Sequence, residues 1–471
     1  FYVDNNLKRL LVKNLYFHKV IIMKKAFLSI LVLLILFFGY VFYQRVTTYN
    51  NYSIELSSPL SYVDQPSYVE GDTIKCFIHC QNKVKMELFK LDSVLVKFRD
   101  YSLKKSIQSD CYSPKAGVFW DNNFSFSSNG LESGYYVLTI TENGKVFNQP
   151  IIIKPKVAGR IALISSYNTW QAYNDFGGKS NYYDNVSPRI MRWFYDKISI
   201  FRPLTYLPFS RPFNFSKYDL TGVVKPIEID YYSHSGELIK KSGIENEDYK
   251  PEYDTIQKNS QFLRGEWNLA GFLSKNRINY DVYTDYDFAH DLTVSKHKLL
   301  IFHTHSEYWS DEMIGRLAIY LNNGGKVIFA SGNNMYRKIL YNEFGCIVEP
   351  GLISDSLVRG MLGTYYTPTT YPKKSSFKVE NANHWVFDGT GMQNGDEFAK
   401  HGSGVETDKV GFGSEDFKIL ASGTNQFGPA HMVLSERSDS SWIFNASSMT
   451  FCEEIPRDTI LQKILLNLIN H

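Results

Sequence analysis

His303, His305 and Glu307 stand at i, i+2 and i+4 in the run KLLIFHTHSEYWSDEMIGRLAIYLNNGGKVIFASGNNMYR, residues Lys298 to Arg337. If the chain there is extended, all three side chains project to one side, and two imidazoles with a carboxylate form a zinc donor set. The plainer outcome is one buried, hydrogen-bonded histidine beside a solvated glutamate, and spacing alone does not separate the two. Asn333 and Asn334 add amides to the same stretch. A second constellation is SSYNTWQAYNDFGGKSNYYD, Ser165 to Asp184, in which Tyr173, Asn174 and Tyr182 flank the turn-forming pair Gly177 and Gly178. It reads either as a binding loop or as an aromatic-rich loop packed on a neighbouring segment.

Elements on both sides must hold these residues. Leu299 to Phe302 and Lys326 to Ala330 are short apolar runs of the kind that form strands covered on both faces. Between them the spacing predicts a helix with Ser310 as N-cap, Asp311 and Glu312 in the first turn, and Met313, Ile314, Leu317, Ala318 and Leu321 on one face. Gly324 and Gly325 end it. The unit is therefore strand, helix, strand with a parallel pairing. Ile161 to Ser165 supplies another strand ahead of the tyrosine loop, so both polar clusters follow strand C-termini, where open α/β sheets place their ligands. No G-x-S-x-G elbow, Walker loop, G-x-G-x-x-G or H-E-x-x-H motif stands where it would need to, and Cys346 does not sit on a nucleophile elbow.

The 471 residues suggest roughly three domain-sized units. Residues 1–22 precede Met23 and read as upstream translation. Residues 23–45 carry Lys24 and Lys25 and then the charge-free run Ala26 to Phe42, which predicts a signal or transmembrane anchor with the following domains extracytoplasmic. No A-x-A-like site follows, which favours a retained anchor. Residues 53–155 alternate in the manner of a β-sandwich, with a hairpin turn at Asn143-Gly144. Residues 159–471 alternate strand and helix signals around a polar insertion at about 215–260 and close on an amphipathic helix bearing Ile460, Leu461, Ile464, Leu465 and Leu468. Five cysteines in such a length do not make a disulfide scaffold. A net charge of +3 gives no case for nucleic acid, and the expected partners are a small-molecule amide, the membrane and possible further copies of the chain.

Taken together, YNTWQAYNDFGGKSNYY, FLSKNRINYDVYTDYDF, HTHSEYWSDEM, NNGGKVIFASGNNMYR and WIFNASSMTFCEE resemble, in order and spacing, the large (β) subunit of N,N-dimethylformamidase and its relatives. The similarity runs from about Gly159 to the C-terminus, and the preceding sandwich resembles the β-domain that such proteins carry. The resemblance implies a glutamine-amidotransferase-like α/β scaffold with a mostly parallel sheet, and an amide hydrolase whose single ferric iron (Fe3+) is held by two tyrosines and one glutamate. The matching carboxylate is Glu307, and the matching phenols are Tyr173 and Tyr182, with Tyr183 as the alternative to Tyr182. His305 and Asn333 match the family's nearby histidine and asparagine, implied to move protons and to orient the substrate. Phenolate and carboxylate oxygens are hard donors that suit ferric iron. The known enzyme is soluble and pairs with a small subunit, whereas this chain has an anchor and an insertion, so a substrate other than dimethylformamide is expected. Two other readings stand beside the iron hydrolase: a non-catalytic envelope protein that binds a glycan or partner through its aromatic loops, and a zinc hydrolase built on His303, His305 and Glu307.

Overall fold

The computed structural model describes residues 5–182, 184–189, 191–193, 204–213, 263–366, 374–425, 428–437 and 441–471. The expected insertion at about 215–260 and the alternative ligand Tyr183 lie outside them. A helix spans Asn5–Thr47, starting upstream of Met23. It contains Ile22–Tyr43, which among the described residues is the one stretch long and apolar enough to cross a membrane by length and composition.

The strands from Leu60 to Lys154 form sheets around one core because alternate residues point inward. Ile74, Cys76 and Ile78, Val84, Met86 and Leu88, and Tyr136, Leu138 and Ile140 are all buried in it. A five-stranded sheet is built on the hairpin of Gly134–Glu142 and Lys145–Lys154. Its two-residue turn has positive φ at both central residues, Asn143 (48°) and Gly144 (81°), which the twist of a tight hairpin demands. The opposite face of the hairpin puts Tyr135, Val137 and Ile152 into a second core with Leu163, Trp170 and Leu273, so the sandwich is packed directly on the α/β unit. All five cysteines are free.

The α/β unit is centred on a nine-stranded sheet. Asp281–Thr284, Ile161–Ser165, Leu299–Thr304, Lys326–Ser331 and Trp442–Asn445 run parallel, in that spatial order. His431–Glu436, Lys418–Gly423, Ser375–Val379 and Glu397–Ser403 continue it antiparallel. The expected mostly parallel sheet is thus corrected to a mixed one. Chain connectivity explains the difference: short loops join His431–Glu436 to both its neighbours, Lys418–Gly423 and Trp442–Asn445, whereas a crossover such as the helix Asp311–Asn322 brings the chain back for a parallel pairing. That helix starts where expected, with Ser310 Oγ accepting from Met313 N at 3.3 Å. The terminal helix Thr459–Asn470 is capped by Asp458 and buries Leu461, Ile464, Leu465 and Leu468. A separate four-stranded sheet takes in Tyr308–Trp309, Arg337–Asn342, Gly345–Leu352 and Thr205–Pro208.

Candidate active site

The strand Leu299–Thr304 ends in a turn that decides which histidine faces which way. Thr304 has φ +70°, and His305 N donates to His303 O at 2.9 Å across it, a γ-turn of the rarer, strained form. The alternation assumed for His303, His305 and Glu307 therefore breaks at Thr304. His303 Nε2 lies 3.1 Å from Tyr135 Oη of the sandwich, and burial holds its imidazole down at about 3, hence neutral. The zinc set His303, His305 and Glu307 is not assembled. In its place His305, Glu307 and Glu406 offer ligand atoms within 4.8 Å of one another.

His305 is fully buried. Its Nδ1–H donates to Gly332 O at 3.1 Å, leaving Nε2 3.0 Å from Glu406 Oε2 and 3.2 Å from Glu307 Oε2. Burial opposes charge on the ring, but Glu406 and Glu307 outweigh it and hold the imidazole well above its ordinary value. The same attraction keeps Glu406 below the usual carboxylate range against the opposing effect of burial. An imidazolium thus bridges two carboxylates. Gly332 is obligatory for this approach, because a Cβ there would meet Glu406 O at 2.2 Å and Met449 N at 2.6 Å.

The tyrosine loop reaches Glu307 from the other side. Helix Tyr167–Tyr173 delivers Tyr173, and Asn181 N bonds Ala172 O at 2.9 Å to close the loop before Tyr182. Tyr182 Oη donates to Glu307 Oε1 at 2.6 Å, and Tyr173 Oη lies 3.5 Å from Glu307 Oε2 and 3.2 Å from His305 Nε2. The two phenol rings are 4.3 Å apart. Burial, reinforced by the neighbouring carboxylates, pushes both phenols well above their ordinary value. Tyr308 Oη donates to Tyr182 Oη at 2.8 Å and receives Asn181 Nδ2 at 2.7 Å. Tyr308 thereby extends the phenol chain that ends on Glu307.

Asn333 follows the strand Lys326–Ser331 at φ +51° and sends Nδ2 to Glu406 Oε2 at 2.9 Å. Its Oδ1 is buried with no hydrogen-bond partner among the described residues. Asp408 fixes this corner by receiving Asn333 N at 3.0 Å and Asn334 Nδ2 at 3.1 Å, and burial lifts its carboxyl to about 7. The structure therefore brings Tyr173, Tyr182, His305, Glu307 and Asn333 together and leaves His303 out. Glu406 and Asp408 escaped the sequence reading. They arrive from a loop far along the chain, in no motif, on a backbone whose Val405 and Glu406 have φ +44° and +52°.

No curated protein matches the chain. The crystal structure of a ThuA-like protein from Bacteroides uniformis is similar at 12% identity, over 43% of this chain and 80% of that one, with a TM-score of 0.30, too low to argue from. The model of one family, described as N,N-dimethylformamidase beta subunit-like, C-terminal, matches residues 97–346 and 357–461. That span begins inside the sandwich, covers most of the chain and contains every residue of the site, so the chain belongs to the N,N-dimethylformamidase beta subunit-like family.

Proposed function

We propose that this chain hydrolyses an amide C–N bond with a mononuclear ferric iron held by Tyr173, Tyr182 and Glu307, and that Ile22–Tyr43 anchors it with its main domains extracytoplasmic. Family membership supports the hydrolase class. The observation that carries the site is the convergence of two buried phenols on one buried carboxylate, Tyr182 at 2.6 Å and Tyr173 at 3.5 Å from Glu307. The donor set fits the ion. Buried phenols beside carboxylates resist ionisation on their own, and a trivalent cation among hard oxygens reverses that balance. The chemistry supplied by such an ion is Lewis-acid polarisation of the amide carbonyl and acidification of water.

The protein's own groups account for the rest. Asn333 Oδ1, a buried acceptor in need of a donor, receives the substrate N–H or a water proton and so orients the reactants. Glu406, partly exposed at 26%, takes the proton of the attacking water, and the imidazolium of His305, 3.0 Å away, stabilises the charge. The same proton passes to the departing nitrogen, so that the C–N bond breaks to a carboxylic acid, which keeps the second proton of the water, and an amine.

The test is metal analysis and visible spectroscopy of the purified full chain. Iron near one equivalent, with a tyrosinate charge-transfer band that weakens or shifts in Tyr173→Phe and Tyr182→Phe, is expected. A folded, colourless, iron-free protein refutes the iron site and favours a glycan- or partner-binding role. A second reading rests on His305, Glu307 and Glu406, whose ligand atoms already lie within 4.8 Å and suit a divalent ion such as zinc. Stoichiometric colourless zinc, lost in Glu406→Gln but kept in both tyrosine variants, would establish it.

A further inference from the structure

The segment leaving the apolar helix grips the tyrosine loop. Val41, two residues before the end of the apolar stretch Ile22–Tyr43, is only 4% exposed. The helix continues to Thr47, a further rise of about 6 Å at 1.5 Å per residue. Tyr49 then donates its hydroxyl to Leu204 O at 3.1 Å and packs edge-on against Tyr206 at 5.3 Å. Lys115 Nζ lies 4.9 Å and Lys179 Nζ 5.9 Å from the centre of the Tyr49 ring. Tyr52 donates to Gly177 O at 2.6 Å and packs on Tyr112, whose ring fills the space over Gly177. Gly177 and Lys179 belong to the loop between Tyr173 and Tyr182.

Distances decide what this means. From Tyr43 to Tyr49 the chain spans at most about 13 Å, taking a helical rise of roughly 6 Å and two extended residues of about 3.5 Å each. A headgroup layer is about 5–8 Å thick on each side of the hydrocarbon. A soluble substrate would need no more than a slack tether, yet here the loop bearing both phenols is fastened to the first residues outside the span. Lys115 is exposed and has no carboxylate partner among the described residues, whereas Lys179 is paired with Asp184 at 3.9 Å.

We propose that the substrate is an amide borne by a membrane amphiphile, whose hydrocarbon stays in the bilayer while its amide reaches Tyr173, Tyr182 and Glu307 through the loop fastened beside the span. This rests on the hydrolase and anchor readings above. The experiment reconstitutes the full chain in phosphatidylcholine vesicles containing phosphatidylglycerol and offers two N-acyl ethanolamines, one butanoyl and one hexadecanoyl. The long-chain amide should be hydrolysed at least about tenfold more efficiently, because each buried methylene adds to its membrane concentration. A Gly/Ser insertion of about twenty residues between Thr47 and Thr48, spanning roughly 25 Å, should abolish that preference while keeping short-chain turnover. A fluorophore on Lys115→Cys should be quenched by lipids carrying a headgroup nitroxide. An unquenched label, or a preference that survives the insertion, overturns the proposal. Cleavage of the short amide alone overturns it and spares the hydrolase reading. Cleavage of neither amide by a chain whose label is quenched refutes the hydrolase reading and the substrate class with it.

Discussion

Replacing Tyr135 by Phe removes one oxygen from a buried network and leaves the ring in place, so no cavity forms. Tyr135 Oη is the partner of His303 Nε2 at 3.1 Å and also lies beside the Glu266 carboxyl, whose charge it feels. Glu266 keeps three donors after the change: Ser165 Oγ at 2.6 Å, Ser166 N at 3.0 Å and Trp170 Nε1 at 3.0 Å. The loss of the Tyr135 hydroxyl beside it therefore costs Glu266 one weak contact, about 0.5–1.5 kcal/mol. His303 keeps only a long 3.5 Å contact from Thr304 Oγ1 to its other nitrogen, and it cannot recover by protonation because burial holds it near 3. An orphaned buried nitrogen costs about 1–3 kcal/mol. The sum is about 1.5–4.5 kcal/mol.

His303→Leu removes the orphan in advance, so Tyr135→Phe in that background should cost only the smaller effect at Glu266. The expected coupling between the two positions is about 1–3 kcal/mol. Thermal melting of the full chain in detergent reads it, at about 2–4 °C per kcal/mol for domains of a few hundred residues. His303→Leu should also keep the full metal content, since its ring faces Tyr135 rather than Glu307. Equal costs of Tyr135→Phe in both backgrounds, or metal lost with His303, would show the reasoning wrong.

Glu266 provides a pH test. Burial raises its carboxyl from 4.5 to about 7 in the fold, so the folded state binds the extra proton between those values. Stability should be fully present below about 4.5 and fall by about 3 kcal/mol as pH rises to about 7; in Glu266→Gln melting curves that slope should be shallower, and an unchanged slope rejects the assignment. Gly177→Ala places a Cβ 2.6 Å from the Tyr112 ring at φ +80°, a left-handed position costing an alanine about 1–2 kcal/mol. It should reduce iron occupancy while far-UV circular dichroism stays the same, and normal occupancy would sever the link between that turn and the phenols. Glu406→Gln should lower kcat by about 10²–10⁴ with iron and its band retained, as fits a proton carrier rather than a ligand; a loss confined to KM assigns it to binding instead.

The strand, helix, strand unit from Lys298 to Arg337 was legible because it rests on periodicity and a cap. Buried runs, a helical face and Ser310 are local signals, and each formed where its spacing placed it. The same logic misled at the histidines. Alternation holds only while the strand continues, and nothing in Phe-His-Thr-His announces that Thr304 adopts φ +70°. That turn sends His303 to the sandwich and His305 to the carboxylates. The gathering of Tyr173 and Tyr182 on Glu307 was implied by the resemblance; composition left their loop open. Glu406 was illegible for another reason. It is one acid among many in a loop whose course is set by bonds to other loops, Thr407 to Ser448 and Asp408 N to Ser447 O. The antiparallel half of the sheet was legible as strands but not as directions, because direction follows from connections rather than from apolar runs.

Backbone strain marks the site without any motif. Thr304, Asn333, Met335, Val405, Glu406 and Ser447 are non-glycine residues at φ between +44° and +70°, and all lie in loops at or facing the C-terminal ends of the parallel strands. Each such residue costs about 1–3 kcal/mol and persists only where its surroundings over-determine it. Here they do: Asp408 receives Asn333 N and Asn334 N, Ser448 Oγ donates to Gly404 O at 2.9 Å, and Asn445 receives Ser447 N at 2.9 Å. A fold with no use for this geometry would relax any of these turns by placing glycine there. Instead Gly332, Thr304 and Glu406 are locked so that one imidazole, two carboxylates and an unsatisfied amide oxygen share one point. Six of the nine such residues among the described residues therefore fall on the loops that bring His305, Asn333 and Glu406 together and on the Ser447 turn that braces them, while His303, next to the Thr304 turn, takes up a structural contact with Tyr135.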